Sequence, residues 1–245
     1  MSNPLDDLSA TTIEQVVGGY DWPQALEDLD ARGYTVLKSL LSRHACELLI
    51  GLYDRDECFR TRVVMQRHGF GRGEYKYFGY PLVPCISQLR AALYPRLVPT
   101  ANRWNQALRL SVRYPLELAE FLARCHAAGQ SRPTPLLLRY GPDDYNCLHQ
   151  DVYAEHFFPL QATVLLSRPG QDFTGGEFVL TEQRPRMQSR VDVVPFEQGD
   201  AVVFAVHHRP VPGKRGFYRV NMRHGVSRIR SGSRFATGII FHDAP

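Results

Sequence analysis

The run LLLRYGPDD, Leu136–Asp144, sets the pattern that decides the fold: five residues of strand length and character, then a Gly-Pro-Asp-Asp cluster whose residues favour a turn. The pattern recurs to the C-terminus. Strand-length runs cover Ala162 to Ser167, Glu177 to Leu180, Val191 to Val194, Ala201 to Val206, Val226 to Arg230 and Phe235 to Phe241, and Arg-Pro-Gly, Thr-Gly-Gly and Gln-Gly-Asp stand among the turn formers between them. Short strands punctuated in this way imply an antiparallel sandwich or jelly roll.

Upstream of Pro133 helical patterns dominate. Apolar residues recur at helical spacing from Trp22 to Ala31, and Ser42 can cap a helix running through Ala45, Leu48, Leu49 and Leu52. Further helices are expected over Ile86 to Leu93 and Asn102 to Leu108, and from Pro115 through LELAEFLARCHAAG until Gly129 closes it. Between them Arg67 to Pro81, RHGFGRGEYKYFGYP, is glycine-rich, basic and aromatic and reads as a loop or hairpin. The expected class is therefore α+β but mainly β: a helical region at 1–133 packed on one sheet of a β core at 134–245, the two forming one compact unit.

At 245 residues and 44% hydrophobic content the chain can bury one sizeable core. The N-terminus MSNPLDDLSATTIEQ lacks the positive start and apolar run of a secretory signal, and nothing approaches the roughly 18 consecutive apolar residues of a membrane span. Cys46, Cys58, Cys85, Cys125 and Cys147 are scattered, odd in number and without C-x-x-C, which excludes a disulfide framework and fits a reducing cytoplasm. The net charge of +4 favours anionic partners without defining one.

His149 and Asp151 are two apart, so an extended backbone turns both side chains to one face. A third ligand from a distant strand would complete two imidazoles and one carboxylate, a facial set that leaves coordination positions open. His224 is favoured because Arg234 follows it at the start of the final strand, where a guanidinium can grip a carboxylate through two bonds. His207 and His208 are the runners-up, whereas His126 on a helix reads as structural. A lone H-x-D is weak, and by itself fits a loop histidine beside a turn aspartate.

From Leu136 onward the chain resembles the double-stranded β-helix dioxygenases, which include prolyl hydroxylases and AlkB-type repair enzymes. The resemblance is carried by RYGPDDYNCLHQD, TGGEFVL, QGDAVVF and RHGVSRIRSGSRFATGIIFH. More narrowly, YNCLHQDVYAEHFFPLQ, FTGGEFVLTEQRPRMQSR and VFAVHHRPV look like a bacterial family described as oxygenases acting on alkylated nucleic acid, a likeness extending through RHGFGRGEYKYFGYPL. The resemblance implies iron(II) bound by His149, Asp151 and His224, with 2-oxoglutarate and dioxygen as co-substrates. It implies Arg234 as the 2-oxoglutarate anchor, Tyr140 as a hydrogen-bonding neighbour, and Tyr145 and Asn221 as weaker candidates. An arginine anchor is the AlkB-type choice, where prolyl hydroxylases usually present lysine.

The implied reaction is oxidative dealkylation of DNA or RNA, preferably unpaired, in the cytoplasm and without an obligate protein partner or a membrane. For such a substrate Arg67, Arg72 and Lys76 would meet phosphates while Phe70, Tyr75, Tyr77 and Phe78 met bases. Arg184, Arg186 and Arg190, and then Arg209, Lys214, Arg215 and Arg219, would add positive charge near the metal mouth. The alternatives are a protein hydroxylase acting on proline or another side chain, and a jelly-roll module that binds without catalysis.

Overall fold

The computed structural model describes residues 10–152 and 154–245. Helices α1 (Ala10–Gly18), α2 (Trp22–Arg32), α3 (Arg43–Gly51), α4 (Pro84–Ala107) and α5 (Leu118–Ala127) all lie in the first half. Strands β1 (Tyr34–Leu37), β2 (Phe59–Val64), β3 (Gly71–Arg72) and β4 (Glu74–Phe78) are interleaved with them. The rest is β structure: β5 (Leu136–Tyr140), β6 (Tyr145–His149), β7 (Leu160–Leu165), β8 (Phe173–Gly175), β9 (Phe178–Gln183), β10 (Arg190–Val194), β11 (Ala201–Ala205), β12 (His208–Gly213), β13 (Gly216–Val226), β14 (Ile229–Gly232) and β15 (Arg234–Ile239).

Every strand pair is antiparallel. A seven-stranded sheet has the order β1-β11-β7-β15-β5-β4-β2, and a second sheet has the order β10-β9-β13-β6-β3 with β12 paired to β13. The alternation of side chains along the central strands assigns the two faces of the larger sheet. Ala201, Val203 and Ala205 of β11, with Ala162 and Val164 of β7, join the cluster built by the helices, while Val202 and Phe204 turn the other way. There they meet Phe178 and Leu180 of β9 and Val226 of β13, so the two sheets enclose a second core. Burial on both faces explains why AVVFA is an unbroken apolar run and why only Thr163 interrupts ATVLL.

α4 is the pillar of the helical layer, with Leu89, Leu93, Tyr94, Leu97 and Trp104 buried along it. It is one continuous helix where the sequence suggested two, and it contains Pro95 and Pro99. Each proline removes a helical hydrogen bond, a loss opposed by a face packed into the core over its whole length. α3 begins as expected, with the Ser42 side chain accepting from the Ala45 amide at 3.2 Å. α5 starts later than Pro115, at Leu118, and Gly129 follows it with φ +79°.

The boundary at Pro133 is not a change from helix to strand. β1, β2 and β4 join the larger sheet, and Arg67 to Pro81 resolves largely into a short helical turn, β3 and β4. FRTRVV and EYKYF alternate charged with uncharged residues, the period of a half-buried strand, a signal that reading the glycine-rich stretch as a loop or hairpin passes over. The expected strand from Val226 to Arg230 is instead the end of β13, two residues outside either strand and the start of β14.

Truncating Leu93, fully buried in α4, should destabilise the protein by about 2–5 kcal/mol in a urea titration. A loss below about 1 kcal/mol would show that the helix is not a core element.

Candidate active site

The cavity between the sheets has a volume of about 550 Å³ and is lined by His149, Asp151, His224, Arg234 and Tyr140 among others. β6 and β13 are neighbours, and their register sets His149 directly opposite His224. Asp151 lies two residues beyond the end of β6, which brings all three side chains together. Its carboxylate oxygens stand 3.5 Å from His149 Nε2 and 3.4 Å from His224 Nε2. The three prospective ligand atoms all lie within 4.8 Å of one another, close enough to share one ion.

The backbone prepares this cluster. Ladder pairing between β6 and β13 shifts register between His224 and Val226, and a Cβ at Gly225 would stand 2.7 Å from the Asn146 carbonyl oxygen. Glycine therefore permits the close approach beside the histidine. The Nδ1–H of His149 can donate to the Cys147 carbonyl at 2.8 Å, a bond that leaves the Nε2 lone pair for a metal. Gln150, also in the cavity lining, donates to the Met222 carbonyl at 2.7 Å, tying the H-x-D segment to β13.

Burial pushes the Asp151 carboxyl up, but contact with His224 and the neighbouring His149 outweighs it and holds the group below its ordinary range. Burial and His149 together push His224 down. At neutral pH the carboxylate is ionised and the His224 imidazole neutral, the protonation states that metal ligation requires.

Arg234 begins β15, opposite Tyr140 of β5. Arg234 is 1% exposed, its Nε has no hydrogen-bond partner, and no carboxylate lies in ion-pair contact with it among the described residues, although Glu177 acts on it from farther away. Burial lowers its pKa to about 10, so it remains a cation at neutral pH. The guanidinium lies 5.7 Å from the Tyr140 ring and 5.8 Å from that of Phe173. Gly176, at φ +64°, leaves room for it: a Cβ there would be 2.9 Å from Arg234 Cδ. The Tyr140 hydroxyl is buried without a hydrogen bond of normal geometry, although Asn146 is near it. A buried guanidinium and a buried hydroxyl facing one cavity have the chemistry to receive an anion.

Several expected contacts lie elsewhere. Lys76 is buried, with Nζ 2.6 Å from Asp56 and 2.7 Å from the Tyr53 carbonyl, so it cannot meet a phosphate. Phe78 is wholly within the helical core. Tyr145 and Asn221 are exposed and do not line the cavity: Asn221 faces away from Val220, Met222 and His224 along β13, whereas Tyr145 shares the face of His149 but stands at the far end of β6. Phe70, Tyr75 and Tyr77 do line it, whereas Arg67 and Arg72 are exposed, Arg72 lying 3.9 Å from Asp144. Arg184 and Arg190 reach Glu182, and buried Arg209 pairs with the same carboxylate. Arg186 is exposed and outside the lining. Lys214, Arg215 and Arg219 occupy the opposite end of β13 from His224. His207 and His208 stand outside the three-residue cluster, and His126 contacts Asp243 at 2.8 Å as a structural residue.

Gln161 was missed. It lines the cavity from β7, its Nε2 is 3.3 Å from His224 Nε2, and its Oε1 has no partner. A glutamine interrupting FPLQATVLL was the available signal.

An antiparallel two-sheet fold around a His-Asp-His cluster is the architecture of an oxygenase class, and comparison with known proteins agrees. The chain belongs to the Oxygenase-NA family, described as an oxygenase catalysing oxidative methylation of damaged DNA, which matches residues 73–244. An uncharacterized protein of Mycobacterium tuberculosis strain H37Rv is 51% identical over 167 residues, covering 68% of this chain and 72% of the relative, and its counterpart in strain CDC 1551 gives the same values. A Pseudomonas putida prolyl-4-hydroxylase shares the fold with a TM-score of 0.54 and 16% identity, over 89% of this chain and 97% of that one. A Burkholderia pseudomallei oxidoreductase of the 2OG-Fe(II) oxygenase family does so with a TM-score of 0.52 and 14% identity, over 92% and 94%. The protein is thus a dioxygenase of the 2-oxoglutarate–iron(II) class. No helix among the described residues is long and apolar enough to cross a membrane.

The geometry predicts one Mn(II) bound per chain in a titration followed by electron paramagnetic resonance. Asp151→Ala should weaken it by about 100-fold or more, while His207→Ala and His208→Ala leave it unchanged. The reverse pattern would reassign the ligands.

Proposed function

We propose that the chain oxidatively dealkylates unpaired nucleic acid in the cytoplasm, holding iron(II) through His149, Asp151 and His224 and 2-oxoglutarate through Arg234. In this reading the sheets form a double-stranded β-helix and the helical half packs on it as part of one catalytic unit. The observation that carries the site assignment is Arg234, a buried cation with no carboxylate in ion-pair contact among the described residues, in the same cavity as a clustered His-Asp-His ligand set.

Iron(II) with 2-oxoglutarate and dioxygen supplies an oxidant for a substrate C–H bond, with succinate and carbon dioxide as by-products. The chain's own residues would place the reactants. Arg234 would take the distal carboxylate of 2-oxoglutarate in a charge-assisted pair, and the Tyr140 hydroxyl would donate to the same co-substrate. His149 and His224 would present neutral nitrogens from adjacent strands, with Asp151 neutralising part of the metal charge. Apolar walls, including Leu138, Phe178, Phe204 and Val226, would limit water around the reacting carbon.

The family description and the cavity rim favour a nucleobase. Phe70 is 47% exposed and stacks on His68 at 5.3 Å, and Tyr75 and Tyr77 line the cavity beside it. These rings could receive a flat base extruded from its strand. A protein-hydroxylase reading draws support from the fold shared with the Pseudomonas putida prolyl-4-hydroxylase, and an apolar side chain would also suit this rim.

Anaerobically iron-loaded protein, exposed to air with a methylated single-stranded oligonucleotide, should release succinate and formaldehyde together. Succinate without stimulation by the oligonucleotide would preserve the oxygenase and discard the nucleic-acid substrate. Gly176→Val should raise the KM for 2-oxoglutarate about tenfold through crowding of Arg234; an unchanged KM in the folded variant would count against this placement.

A further inference from the structure

The basic stretch expected at the metal mouth is instead a projecting hairpin. β12 and β13 are joined through Lys214 and Arg215, and Gly216 to Val220 of β13 pair with β12 alone before β9 joins at Asn221. Between this hairpin and the end of α4 lies a second cavity of about 730 Å³. Its lining includes Arg103, Arg109, Arg215 and Arg219, with Phe217 among them and no acidic residue. Phe217 is 57% exposed. Arg103 is held by Asp30 at 2.7 Å, whereas no carboxylate pairs with Arg109, Arg215 or Arg219 among the described residues. Arg109 stands in this groove at φ +58°, a left-handed conformation that costs a non-glycine residue energy.

We propose that this groove binds the phosphate backbone of a single-stranded nucleic acid, with Phe217 offering a stacking face for one base. The inference rests on the nucleic-acid reading above and adds a second point of attachment to it. Several unpaired guanidiniums around one opening attract a polyanion, and an exposed aromatic among them favours a nucleic acid over an acidic peptide. Burial alternates along β13, leaving Arg219, Asn221 and Arg223 exposed while Val220, Met222 and His224 face inward. An exposed polar row thus continues from the groove along the outer face of β13, opposite the face that carries His224, so a strand following it must pass round the sheet to reach the metal. Arg219 and His224 are five residues apart, about 17 Å of extended strand, a separation that a polymer can span and a single nucleotide cannot.

The test is fluorescence anisotropy with a labelled, unmethylated oligo-dT 20-mer across a salt series, using the full chain loaded with Mn(II). Arg215→Gln combined with Arg219→Gln should weaken binding about tenfold and make the slope of log affinity against log salt shallower by about 1.4, as loss of two phosphate contacts requires. Both side chains are exposed, and unchanged 2-oxoglutarate affinity verifies that the variant is folded. Wild-type affinity in the double variant would overturn the groove, and if wild type still turns over methylated oligonucleotide the nucleic-acid reading survives that result. Failure of wild type to bind the 20-mer would overturn both. Displacement of the 20-mer by polyglutamate at equal charge concentration would also overturn the assignment, marking the groove as a site for acidic protein segments.

Discussion

Much of this site depends on a guanidinium held out of water with no carboxylate in direct contact, Glu177 acting on it only from farther away. Isolating a charge in a protein interior costs several kcal/mol even after relaxation, so the position of Arg234 calls for a compensating anion. The surrounding features serve that placement. Gly176 clears space for the side chain, Tyr140 and Phe173 supply aromatic faces, and β15 pairs on both sides so that the arginine starts from a rigid strand. A ligand that brings one carboxylate to Arg234 and its other end to the His-Asp-His cluster would satisfy both halves of the cavity.

The sequence was most legible where local pattern and tertiary role coincide. LLLRY and RVDVV are close to their observed strands because turns bound them, and Ser42 caps α3 because its hydroxyl has an orphan amide within reach. His149 and Asp151 could be paired from spacing, but only the register between β6 and β13 sets His224 opposite His149. Legibility failed where tertiary packing overrides local preference. Separate helices were expected over Ile86 to Leu93 and Asn102 to Leu108, yet α4 runs through both and across Pro95 and Pro99 because its buried face is continuous. EYKYF alternates as a strand should but is set among glycines that read as a loop or hairpin, and Lys76, which reads as a phosphate contact, has its ammonium buried against Asp56 and Tyr53.

The basic residues divide by the same logic. Arg209 pairs with Glu182 in the interior and reaches the Asp30 and Ala31 carbonyls of α2, joining a helix to β12. Arg90 likewise joins α4 to the C-terminal segment through Asp243 at 2.7 Å. Neither is available to a ligand, although each looks the same in composition as Arg215 or Arg219. Net charge therefore says little about where an anion would bind; burial and pairing of each cation do.

The most direct measurement is the affinity of the anaerobic iron(II)-loaded protein for 2-oxoglutarate and for 2-oxopentanoate, which replaces the distal carboxylate by a methyl group, in wild type and in Arg234→Gln. Wild type should prefer 2-oxoglutarate by about 100-fold, the scale of a desolvated charge-assisted contact, and the variant should lose nearly all of that preference. Equal preference in the two proteins would contradict the account, since Arg234 would then not be the group that recognises the distal carboxylate.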